Sequence, residues 1–134
     1  MGHSTTHLQK AIFETLNEDA ALKALVGEGK VLSHVRLKTD FPYIVICNWQ
    51  TEDWSTSTEN GELHRFDVEV WDDNPSTLSQ QNIASKIIEL LHDQPLELVL
   101  GNLVNLRFEN SAHNTQGSTK LQPLSLKFRA TIEF

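Results

Sequence analysis

The last eleven residues place the tightest limit on what this chain can fold into. From Leu124 to Phe134, apolar side chains occupy every even position (Leu124, Leu126, Phe128, Ala130, Ile132, Phe134). Polar or charged ones occupy every odd position (Ser125, Lys127, Arg129, Thr131, Glu133). A repeat of two is the period of a β-strand, whose successive side chains point to opposite faces. A slip of one residue would turn the whole apolar set to water, so the pattern specifies register as well as conformation.

The same logic applies upstream. Leu63 to Trp71 alternates Phe66, Val68 and Val70 against Arg65, Asp67 and Glu69, which predicts a half-buried antiparallel strand. After Pro42, the run Tyr43 to Cys47 is apolar without alternation. Its Ile and Val content over so short a length predicts a strand buried on both faces and central in its sheet. Leu98–Leu100 and Leu103–Phe108 flank Gly101-Asn102, a pair suited to a type II′ turn, and predict two further strands. Thr51 to Gly61 reads as a polar loop ending in the hairpin-turn pair Asn60-Gly61, and Asn110 to Thr119 as a second polar loop.

Helical spacing appears in three places. Leu8, Ala11, Ile12 and Leu16 follow a Ser/Thr-rich start able to cap a helix. Asn17 or Asp19 can cap the run Ala20–Val26, with Gly27 ending it in the left-handed conformation. Asn74 or Ser76 can cap a third helix that tolerates Pro75 in its first turn. Its stripe is Ile83, Ala84, Ile87, Ile88 and Leu91, and Pro95 is expected to stop it. The order of elements predicts an α+β fold: a mainly antiparallel sheet with helices packed on one face, one domain over residues 1–134, with no repeat and no linker.

Composition narrows function by exclusion. With 134 residues, 39% hydrophobic and 22% charged, the chain can bury a core of its own and does not resemble a disordered segment. No run approaches the roughly 18 apolar residues of a membrane-spanning helix. The N-terminus lacks a signal-peptide pattern, so a cytosolic origin is expected and no membrane partner. Met1-Gly2 with Thr6 fits a myristoylation pattern in only a few letters. The single cysteine, Cys47, lies in an apolar run where a small buried side chain fits. Eleven Lys and Arg against eighteen Asp and Glu give a net charge of -7, and the cations are scattered along the chain. A gripping contact with nucleic acid needs several clustered cations, so DNA is not expected to be specifically bound.

The chemistry-bearing residues point the same way. None of His3, His7, His34, His64, His92 and His113 shows metal-ligand spacing on one ordered element. His3 and His7, at or before the start of the first helix, read as solvated, and His64 and His92 as rim positions. Asp67 and Glu69 share a strand face with Arg65, but beside Lys127, Arg129 and Glu133 they read as cross-strand pairs or a subunit contact rather than as an acid-base pair. There is no G-x-S-x-G, no Gly-rich phosphate loop and no Cys-His-Asp motif, so no catalytic residue, metal or cofactor is expected. Trp49 and Trp71 end strands, whereas Trp54 sits in a polar loop. It either meets a partner or folds back over its own domain. The contact candidates are therefore Glu52, Asp53, Trp54, Asn114 and Gln116 on the loops, with Lys127 and Arg129 on the last strand.

Five segments in this order resemble one family. They are Leu8-Gln9-Lys10-Ala11-Ile12, Ala21-Leu22-Lys23-Ala24-Leu25-Val26-Gly27, Phe41-Pro42-Tyr43-Ile44-Val45, Val68-Glu69-Val70-Trp71, and the Ile83-to-Asp93 helix ending in Leu91-His92-Asp93. Each alone is a common core pattern, and their order and spacing carry the resemblance. It is to the tail terminator and tail-to-head joining (tail completion) proteins of long-tailed phages and gene transfer agents. The resemblance implies a virion structural protein, assembled in the bacterial cytoplasm into a hexameric ring at the tail-neck junction. Its partners would be the tail tube protein and a head-completion or neck protein, with DNA passing through. The mixed charges of Ser125, Lys127, Arg129, Thr131 and Glu133 suit a self-complementary contact, and an acidic excess suits a conduit that does not hold DNA. Two alternatives stand beside it. One is another neck or minor tail protein of the particle. The other is a cytosolic small-molecule-binding domain or enzyme, which a deep pocket with convergent polar groups would reveal.

Overall fold

Asp19 separates the first two helices. Its backbone is extended (φ −73°, ψ 120°), and its carboxylate accepts the Leu22 N–H at 2.8 Å, an N-cap that starts α2 (Ala20–Val26) directly after α1 (His3–Glu18). Gly27 ends α2 with its N–H donating to Lys23 O at 2.7 Å. Its φ of 97° is positive as expected, but ψ of 174° is extended rather than left-handed helical. The computed structural model describes residues 3–33, 40–73, 78–113 and 123–134. In chain order the remaining elements are β1 (Val31–Leu32), β2 (Tyr43–Asp53), β3 (Gly61–Trp71), α3 (Leu78–Leu91), β4 (Asn102–His113) and β5 (Leu124–Glu133).

The strands form one sheet in the order β1-β2-β3-β5-β4, antiparallel except for the short parallel pair β1–β2. Register explains the alternation: Phe66 lies opposite Phe128 and Val68 opposite Leu126, so the even positions of β3 and β5 share the face that the helices cover. Leu8, Ile12, Leu16, Leu22, Ile83, Ile87 and Leu91 close over that face in one buried cluster. A run of aromatic rings crosses it, Trp49 stacked on Phe66 at 4.4 Å, Phe66 on Phe128 at 5.6 Å, and Phe108 edge-on to Phe128 at 5.7 Å. Gln80 Nε2 donates to Val70 O at 3.1 Å and ties the start of α3 to β3. The expected α+β class, with helices on one face of a mainly antiparallel sheet, is what the chain adopts.

On the opposite face Leu32, Tyr43 and Val45 form a second small cluster with Phe41, Cys47 and Trp71, which is why Tyr43–Cys47 is apolar without alternation. This strand is interior, but the middle of the sheet belongs to β3, because β5 and β4 lie beyond it and only the two-residue β1 lies outside β2.

Several local expectations are corrected. The helix α1 begins at His3, so the Ser/Thr run lies in its first turn rather than ahead of it. Thr51–Asp53 belongs to β2, since a ladder already paired at Ile44–Cys47 continues past a bulge at Asn48 (φ 54°) whatever the polarity of its exposed side chains. The connection is residues 54–60, and neither Asn60 nor Gly61 has the positive φ of a type I′ turn. Gly61 is required for space instead: a Cβ there would lie 2.9 Å from Trp54 Cε3. Leu98–Leu100 is not a strand; residues 94–101 carry the chain from α3 to the sheet edge, and Gly101 (φ 85°) leads straight into β4. The third helix stops at Leu91, ahead of Pro95, because Asp93 turns left-handed (φ 56°) and donates its N–H to Leu106 O at 2.7 Å. Residues 110–113 of the second expected loop extend β4. Asn114 and Gln116, like the capping candidates Asn74 and Ser76 and the tolerated Pro75, lie outside the described residues.

Candidate functional site

The face of the sheet turned away from the helices is built by the odd positions of β3 and β5. Its rungs follow from register. Gln50, Arg65, Arg129 and Arg107 lie abreast across β2, β3, β5 and β4. The next rung holds Cys47, Asp67, Lys127 and Asn110, and the one after it Val45, Glu69, Ser125 and Ala112. Cations scattered along the chain are thus gathered in space: four of the eleven Lys and Arg stand on two adjacent rungs.

The carboxylates of this face are engaged in structure. Asp67 meets Lys127 Nζ at 3.4 Å and accepts from Asn48 Nδ2 at 2.9 Å. Glu69 accepts from Trp71 Nε1 at 3.2 Å, and Glu52 pairs with Arg65 at 2.9 Å. Asp67–Lys127 is a cross-strand pair of the kind the alternation implied, whereas Glu69 is held within its own strand, and the exposed pairs add little stability. Cys47 sits between Asp67 and Glu69. Burial first, then the charges of Glu69 and Asp67, push its thiol up to about 12, so it stays protonated and is no nucleophile at neutral pH. A shallow cavity of about 390 Å³ opens beside the arginine rung, lined by Gln50, Arg65, Asp67, Glu109 and Lys127. Its cations Arg65 and Lys127 already hold carboxylates, an arrangement that can bind a charged surface but offers no nucleophile with a base.

His64 is not at the rim. It is fully buried, with Nδ1 accepting from Trp49 Nε1 at 3.0 Å and within 3.1 Å of Thr51 Oγ1, while Nε2 is buried with no partner among the described residues. Two groups converging on Nδ1 hold the ring neutral with its proton on Nε2. Burial lowers its pKa, against the opposing pull of Glu62. His92 does lie part-exposed at the end of α3, its Nδ1 accepting the Phe108 N–H at 2.9 Å and its Nε2 3.2 Å from Asp93. Among the described residues no group of three His, Cys, Asp or Glu is placed to hold a metal, and no helix is long and apolar enough to cross a membrane.

The seven contact candidates divide. Lys127 and Arg129 stand together on the open face, joined there by Arg65, which the alternation had placed on a shared charged face, and by Arg107, which sequence reasoning did not single out. Glu52 borders the same face through Arg65, and Asp53 and Trp54 lie at the tip of the β2–β3 hairpin. The Trp54 ring lies over Gly61 and is still 43% exposed, so it both covers its own hairpin and faces outward. The alternation around Arg65 was the available signal for that residue. For Arg107 the signal was its place between Leu106 and Phe108 in a segment already read as a strand.

A family model described as tail completion protein gp17 matches residues 10–133. Among solved structures, a chain from the virion of a native gene transfer agent particle is similar with a TM-score of 0.88 and 27% identity, over 98% of this chain and 98% of that one. The gp17 protein of bacteriophage SPP1 shares the fold with a TM-score of 0.56 and 24% identity, over 96% of this chain and 95% of its own. No curated protein sequence matches.

Proposed function

The chain belongs to the tail completion protein gp17 family, and from that premise we propose that it forms a ring, hexameric when assembled, that ends the tail tube and joins it to the head. It is a structural protein of a phage or gene transfer agent particle and not an enzyme. The observation that carries the proposal is the likeness, nearly end to end, to a chain of a gene transfer agent virion. In this reading residues 1–134 act as one domain, the tail tube protein lies on one side of the ring and a neck protein on the other, and DNA passes through without specific contacts. Subunits are made in the bacterial cytoplasm and end at the tail-neck junction. Glu52, Asp53, Trp54, Asn114, Gln116, Lys127 and Arg129 are the proposed contact residues.

The physical support is a part-exposed sheet face that carries both charge signs and presents Arg65, Arg107 and Lys127 to solvent, as a docking surface can. The test is cryo-electron microscopy of particles carrying a tagged copy of the chain. Six copies at the tail-neck junction are expected. Density at the tail tip or within the neck away from the tube would replace this reading with another minor tail or neck role. Deletion of the gene should leave tails unjoined or overlong.

A further inference from the structure

Three arginines abreast on neighbouring strands are an expensive arrangement, since strands lie about 4.8 Å apart and like charges directly opposite destabilise a sheet. The outer two are compensated within the chain: Arg65 by Glu52 at 2.9 Å and Arg107 by Asp93 at 3.4 Å. Arg129, between them, is half-buried. It has no ion-pair partner among the described residues, and its Nε is buried without an acceptor. With Nε covered, the charge of this half-buried guanidinium can be met only at its terminal nitrogens, and an unpaired cation between two like charges calls for an anion from outside the subunit.

The chain itself carries a fitting one. No Lys or Arg occurs between Lys38 and Arg65, and the whole of residues 51–60 is exposed. At that hairpin tip Asp53 and Glu59 make no ion pair among the described residues, and Trp54 presents an apolar surface 43% open. We propose that the arginine rung of one copy (Arg65, Arg129, Arg107) receives the acidic β2–β3 hairpin tip (Asp53, Trp54, Glu59) of the next copy. Two different patches on every subunit make a head-to-tail contact, the kind that closes into a ring when the rotation between copies allows. A nucleic-acid backbone fits less well, because Glu52, Asp67, Asp93 and Glu109 border the rung and repel an extended polyanion, whereas a narrow tip can enter between them. The inference rests on the ring reading above and names its contact.

The test is a charge swap on the full chain, followed by analytical ultracentrifugation over a concentration series at low ionic strength. Arg129→Glu alone, and Asp53→Lys with Glu59→Lys alone, should each weaken self-association about tenfold or more, the scale of reversing one member of a close charge pair. An equimolar mixture should recover it, because each altered patch then meets its complement on the other variant. Asp53 and Glu59 are both exposed, so the tip variant keeps the test valid if Arg129→Glu fails to fold. In a Cys47→Ala background, Thr58→Cys with Asn110→Cys should give a ladder of disulfide-linked oligomers on oxidation, and either cysteine alone should not. A wild-type chain that associates while the variants associate equally, with no ladder, overturns this contact and leaves the ring standing. A chain that gives no ladder even within purified particles overturns the contact as well, while the ring itself stands or falls on the copies counted at the tail-neck junction.

Discussion

Phe128 and Phe134 are the same residue type on the same alternating strand, both at even positions, and the structure sets them far apart in consequence. Phe128 is fully buried, between the rings of Phe66 at 5.6 Å and Phe108 at 5.7 Å, whereas Phe134 lies past the end of β5 and is 47% exposed. Truncating a buried Phe to Ala costs about 3–5 kcal/mol through lost transfer energy and a residual cavity. Losing two ring contacts, each worth about 0.5–1.5 kcal/mol, puts Phe128→Ala at the upper end of that range. For a domain of this length about 4 °C of melting temperature goes with each kcal/mol, so Phe128→Ala should lower the midpoint by about 15 °C or more. Phe134→Ala should cost about 1 kcal/mol or less. Urea titration and thermal melts monitored by circular dichroism measure both. Equal losses, or a loss under about 2 kcal/mol for Phe128→Ala, would refute the placement of the helix layer over this strand.

Acidification should destabilise the chain through His64: its folded pKa is lowered, so the unfolded chain binds the extra proton, and stability is lost as pH falls from the unfolded histidine value of about 6.5 toward the folded one. Thermal midpoints across that window should fall less steeply for His64→Asn than for the native chain, and parallel profiles would sink the assignment. Gly101→Ala should cost more than about 1 kcal/mol, because φ is 85° and the new Cβ would lie 2.8 Å from Ile132 Cγ2; a neutral melt would contradict it. Trp54→Ala, and separately a deletion within Asn114–Gly117, should each leave stability within about 0.5 kcal/mol yet yield particles with unjoined or overlong tails. An unfolded Trp54→Ala chain would make that side chain core cover instead. Mass photometry of the free protein at nanomolar concentration should find monomers, since modest polar contacts hold only when many act together on the tail end; a salt-stable hexamer there would reverse the order of assembly.

Much of the fold was legible because burial writes itself into sequence with the period of the element. The strict alternation of Leu124–Phe134, the stripe Ile83–Leu91 and the cap at Asp19 each depend on neighbours a few residues away, and each formed where expected. Element ends were less legible. The helix α3 stops at Leu91 because Asp93 and His92 are captured by Leu106 and Phe108 of β4, and β2 runs on through Glu52 and Asp53 because Leu63 and Glu62 pair with them. No local signal in Asp93 or Glu52 announces a partner more than ten residues away.

The candidate site shows the same division. That Arg65 and Arg129 point away from the core was decided by the alternation of their own segments. That they stand abreast, with Arg107 as the third and a guanidinium in the middle that has no ion pair among the described residues, was decided by the strand order β3-β5-β4. Alternation is set within one strand by the pleat, whereas the order and register of strands are set by which apolar faces meet under the helices. A charge pattern across a sheet therefore exists only once the core beneath it has formed.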